Sequence, residues 1–172
     1  WFLQWGNSVW LQNSGDLGRT DTGLPKDVDK MLTYRDGRYY DFIRTRQFQF
    51  PIDRLYNHDP IFGKANSGLT ASSLGDDDFR EYLYMMTTRG NSFWELYYST
   101  SLFDRAKWMV NARALDWLRR NHRILVHAKM FGGNPEKGNG YGYSSWDGGD
   151  GIVSVRNPSP SEGDYDLVLD DR

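Results

Sequence analysis

Three places in the sequence carry side chains that could move a proton or fix a polar ligand. In residues 8–21, SVWLQNSGDLGRTD, the strand formers Val9, Trp10 and Leu11 are followed by Gly15 and Gly18, which let the backbone bend, and Asp16 is the first charge after the strand. In FQFPIDRLYNHDP, Asn57, His58 and Asp59 follow an apolar and polar alternation in the same way. In NSFWELYYST, Glu95 lies inside an aromatic run, where a charge is costly unless it is paired or faces a pocket. A carboxyl or imidazole at the mouth of a strand is placed for general acid/base work. Each also has a plainer reading. Asp16 can cap or bond its own loop, His58 can be a satisfied structural histidine, and Glu95 can meet a basic partner in the core. A metal site is not expected, because the three His residues are dispersed and none belongs to a ligand-spaced pair. Asp76, Asp77 and Asp78 read as first-turn residues that complement a helix dipole, not as metal ligands.

Composition narrows the ligand class. Of 172 residues, 16% are aromatic, including seven Trp and eleven Tyr, a share that suits either large aromatic cores or the handling of flat, hydroxylated ligands such as sugars. Trp10 and Trp94 are candidates for stacking on a sugar face, with core packing the commoner fate of a strand Trp. The net charge is −2 and the Lys and Arg residues are scattered, which argues against nucleic acid as a partner. With no Cys there is no disulfide or thiolate chemistry, and the compartment is left open. No apolar run approaches the ~20 residues of a membrane span. Starting at Trp1, the sequence reads as cut at both ends.

The elements that must position these groups follow from periodicity. Residues 26–46 repeat apolar side chains at helical spacing with an expected break at Gly37. A strand is expected over 48–57, made irregular by Pro51, and 61–75 reads as a Gly- and Ser-rich connection. Residues 76–89 form a helix closed by Gly90, 91–100 a third strand, and 104–127 the longest helix. From 141 onward, short alternating runs between Gly, Pro and Ser turns predict antiparallel strands. Alternating strands and helices over 8–134 imply parallel strands with crossover helices. The expected fold is α/β: the last three strand-helix units of a (β/α)8 TIM barrel (residues 1–134), then the first strands of an antiparallel β-sandwich (residues 135–172).

In this order the motifs resemble the α-galactosidase-like glycoside hydrolases, the clan of families 27 and 36. LQNSGDLG is similar to the W-R-x-x-G-D-I stretch of family 27, and the resemblance implies that Asp16 is the general acid/base. Gln12 stands where that family has a substrate-contacting Arg. FQFPIDRLYNHDP, GNSFWELYYS and RNHRILVHAKMFGG resemble the seventh-strand region, the G-x-G-Y-E-L segment and the closing helix of family 36, and RNPSPSEGDYDLVLD the start of its C-terminal sandwich. The likeness implies a retaining α-glycosidase acting on terminal α-galactosides without metal or organic cofactor. Trp10, Gln12, His58, Asp59, Trp94 and Glu95 are then substrate-contacting candidates. The family's nucleophile has no counterpart and is expected before Trp1, so the chain alone is expected to be inactive. An α-N-acetylgalactosaminidase or endo-acting relative fits the same motifs. A non-catalytic carbohydrate-binding protein, with Trp10, Trp94 and Trp146 stacking on sugar, is the alternative of another class.

Overall fold

The computed structural model describes residues 5–11, 14–16, 18–63 and 74–168. Helix α1 (Asp27–Tyr40) opens with Asp27 and Asp29 in its first turn and carries Arg38 in its last, charges that complement the helix dipole. Val28, Met31, Leu32 and Tyr39 lie on its buried side. The helix runs straight through Gly37, where a break was expected. The glycine is needed for packing instead: a Cβ there would collide with the Glu136 side chain. The irregularity comes one turn later, as a π-helical turn over Asp41–Thr45.

Helix α2 (Asp76–Thr88) begins with the three aspartates, and helix α3 (Arg105–Leu125) is capped by Asp104, whose carboxylate accepts from the Lys107 backbone N–H at 2.9 Å. Gly90, just past α2, has φ +78°, and a Cβ on it would run into the Leu125 carbonyl oxygen and Ala128. Strain and overpacking then act together. Gly90→Ala is expected to destabilise by about 1–3 kcal/mol, read as a lower urea midpoint with unchanged slope. An unchanged midpoint would show that the α2–α3 junction yields freely.

The strands differ most from expectation. β1 (Val9–Trp10) pairs in parallel with β2 (Leu55–Tyr56), and β3 (Ile61–Phe62) pairs in parallel with β4 (Tyr97–Tyr98). The largest sheet is antiparallel, in the order β5 (Lys129–Gly132), β6 (Tyr141–Asp147), β7 (Asp150–Arg156). β6 turns into β7 through Gly148 and Gly149, with Gly148 at φ +61°. The expected partial (β/α)8 barrel with a sandwich start is therefore not what the chain forms. Among the described residues the parallel strands are two separate two-residue ladders, not neighbours in one wall, and no barrel of strand-helix units is apparent. Pro51 turns residues 52–54 into a 3-10 helix, which shortens the strand expected over 48–57 to two residues. Alternation in sequence marks extended backbone but does not say which strand pairs with which.

Two apolar clusters hold these pieces. One joins α1 and α2 with Phe62 and Ala114, around Phe79 and Leu83. The other joins Leu11, Tyr39, Leu55 and Met130 with Tyr141 and Tyr143 of the antiparallel sheet. Each large side chain buried in them contributes about 1.5–3 kcal/mol.

Candidate functional site

Charged side chains connect the two clusters. Arg35 and Asp36 sit on the buried side of α1 beside Met31, Leu32 and Tyr39, so a helix face that is otherwise apolar carries an ion pair's worth of charge inward. Asp59, beyond the end of β2, receives the Arg35 guanidinium at 2.9 Å and 3.4 Å on its two oxygens. Arg89, at the end of α2, reaches Asp59 at 3.2 Å and Asp36 at 2.7 Å. The Tyr82 hydroxyl donates to Asp59 at 3.0 Å, and the Tyr141 and Tyr143 hydroxyls donate to Asp36 at 2.5 Å and 2.8 Å. Burial opposes the charge on Arg89, but Asp36, Tyr143 and Asp59 outweigh it and hold its pKa well above the usual arginine value. Burial, and then the neighbouring carboxylate, keeps the Tyr82, Tyr141 and Tyr143 phenols protonated well above their usual range.

Above this network lies an open cluster. Asp16 is 54% exposed, and its Oδ1 lies 2.9 Å from Nδ1 of His58. On the other side of the ring, Nε2 of His58 lies 3.4 Å from Oε2 of Glu95, with His58 29% and Glu95 38% exposed. A doubly protonated imidazole can donate toward both carboxylates, whereas a neutral ring can donate to one only. The indole of Trp10 meets the His58 ring edge-on at 4.4 Å, and Tyr97 lies parallel to it at 5.4 Å. Tyr56 contacts Trp10, and the exposed Phe93 contacts Tyr56 in turn.

The Asp16 loop is fixed from below. Arg35 donates to the Asp16 carbonyl at 2.9 Å and also to the Ser14 hydroxyl, while the Gly15 N–H donates to the Tyr34 hydroxyl at 2.9 Å. Asp16, Gly18, Tyr34 and Arg35 border a cavity of about 10 Å³ whose floor is Asp59 and Tyr82, room for about one water-sized group.

Three separate segments therefore bring Asp16, His58, Glu95 and Trp10 together. Asp59 is not part of that open surface: it is buried and held by two arginines and a tyrosine. Trp94 is half-buried against the α1–α2 cluster. Gln12 lies outside the described residues. Among the described residues no set of three or more His, Asp or Glu is arranged to hold a metal ion, and no helix is long and apolar enough to cross a membrane. Comparison with family models, curated proteins and solved structures returns no match.

Sequence reasoning missed Arg35, Asp36 and Arg89. A signal was present: Arg35 falls at Met31+4, Asp36 at Leu32+4, on the side of the helix where Val28 and Tyr39 require burial. A charge on that stripe announces a buried partner.

Proposed function

We propose that the Asp16–His58–Glu95 cluster belongs to a glycoside-hydrolysing site for α-linked galactosides or related glycans, in which Asp16 is the general acid/base. The observation that supports this reading is the convergence of Asp16 and Glu95, from distant parts of the chain, on the two nitrogens of His58 within a surround of Trp10, Tyr56 and Tyr97. Carboxylates accept from sugar hydroxyls, and aromatic faces and edges pack against the C–H face of a sugar ring. Asp16 is the exposed member and can reach a glycosidic oxygen. His58, between two carboxylates, orients Asp16, and Glu95 orients His58, so both act as positioning residues.

In a retaining reaction Asp16 protonates the departing oxygen while a second carboxylate, about 5 Å away, attacks the anomeric carbon. Asp16 then takes a proton from the water that releases the sugar. The attacking carboxylate is a further group, since Glu95 is engaged on the far nitrogen of His58.

The test is hydrolysis of an aryl α-galactoside by the protein, comparing wild type with Asp16→Asn. A loss of about a hundredfold or more is expected, with added azide restoring turnover and giving the retained α-galactosyl azide. The inverted β-galactosyl azide would make Asp16 the attacking group and overturn the assignment. Equal activity of the two proteins would leave Asp16 a loop residue. A second reading, glycan binding without hydrolysis, is favoured by the exposure of Phe93 and Tyr97 beside the cluster. Saturable binding of the galactoside by both proteins, with hydrolysis by neither, would establish it.

A further inference from the structure

We infer that a groove at the opposite end of β2 from His58 binds a saccharide ring carrying a carboxylate. β2 places His58 beyond its carboxyl end and Arg54 immediately before its amino end, so the groove is separate from the Asp16 cluster. Its volume is about 660 Å³, the size of an ordinary small-molecule site. It is bordered by Asp53 and Arg54, by His127 and Lys129 between α3 and the antiparallel sheet, and by Ser144 and Trp146 of β6.

Trp146 supplies a flat surface. It stands directly opposite Gly151 in the β6–β7 ladder, and a Cβ on residue 151 would collide with the indole. One side of the indole therefore lies against bare backbone, while the side chain remains 47% exposed. An aromatic ring supported in this way can take the C–H face of a sugar without reordering itself. Lys129 pairs across the ladder with Ser144, two residues from Trp146, so all three project from the same side of the sheet.

The charges favour an anion. Arg54, Lys129 and His127 border the groove, and Lys129 and His127 make no side-chain hydrogen bond or ion pair among the described residues. The one carboxylate, Asp53, is mostly buried, with Arg54 at 3.3 Å and the Ser92 hydroxyl at 3.4 Å. At the end of α3, the backbone N–H groups of Val126, His127 and Ala128 donate to the carbonyls of His122, Ile124 and Leu125, which satisfies three of the helix's last four carbonyls. A sugar carboxylate can meet Lys129 while ring hydroxyls meet Ser144 and Asp53. A plain aromatic anion would offer the Ser144 hydroxyl no partner.

The experiment is titration of the full chain with methyl glucuronide, methyl glucoside and benzoate, read by tryptophan fluorescence and calorimetry at low salt. Saturable binding of the glucuronide is expected, at least about fivefold tighter than either comparison ligand. Trp146→Ala and Lys129→Gln should each weaken it by about fivefold or more, while Asp16→Asn leaves it unchanged. Lys129 is exposed, so Lys129→Gln reports on the site even if Trp146→Ala does not fold. Absence of saturation, equal affinity for glucoside or benzoate, or full binding by Lys129→Gln would overturn the proposal. Loss of binding in Asp16→Asn would place the glucuronide in the other cluster and overturn it too.

Discussion

Arg89→Met is expected to lower the unfolding free energy by about 3–5 kcal/mol, the usual cost of removing one partner from a buried ion network. Arg89 is almost wholly inaccessible and bridges Asp36 and Asp59, each of which keeps other donors. Asp36 retains Tyr141 and Tyr143, and Asp59 retains Arg35 and Tyr82. Asp59 would keep the Arg35 guanidinium, but Asp36 would keep only tyrosine donors, and its buried negative charge would go uncompensated. Arg89→Lys should recover only part of the loss, because an ammonium cannot present the guanidinium's planar fork of donors to both partners. The measurement is a urea titration of wild type and both variants. A Met variant within about 1 kcal/mol of wild type would show that hydrophobic replacement of this ion network is tolerated, as happens in some proteins.

Stability is expected to collapse at alkaline pH. Tyr39, Tyr82, Tyr98, Tyr141 and Tyr143 are all pushed up by burial, Tyr39 to about 12. Free tyrosine loses its proton near pH 10. Below that pH both states keep every phenol protonated, and the full stability is present. Above it the unfolded chain releases protons that the native state still holds, so stability falls as pH rises through the native values. Tyr39 alone costs about 3 kcal/mol once the pH passes its own value, and the other four act in the same direction. Phenolate absorbance should therefore appear in two stages: exposed tyrosines first, then these five together with loss of the near-ultraviolet circular dichroism. Smooth ionisation of all eleven tyrosines while the fold persists would contradict it.

The helices were legible in the sequence because their signals are local. The aspartates that open α2, Gly90 after it and Asp104 before α3 each act within one turn of their own position. The strands were not, because pairing is a long-range choice. Ile61 and Phe62 sit in a stretch that reads as a connection, yet they form the ladder with Tyr97 and Tyr98. The site was legible in part for the same reason. Asp16, His58 and Glu95 were recognisable as charges ending or interrupting aromatic runs, but Asp59, one residue from His58, points into the protein and not onto the surface. Its fate was set by Arg35 and Arg89, which lie 24 and 30 residues away along the chain.

Arg35 touches both levels of the molecule at once, holding the carbonyl of Asp16 on one side and the carboxylate of Asp59 on the other. A surface loop would ordinarily open at little cost and at its own rate. Here opening means withdrawing hydrogen bonds from a side chain whose remaining contacts are locked in the core. The segment bearing Asp16 thus belongs to the same cooperative unit as α1 and α2. Two variants with identical surfaces are then expected to differ in how Asp16 is held, solely because of what lies beneath it.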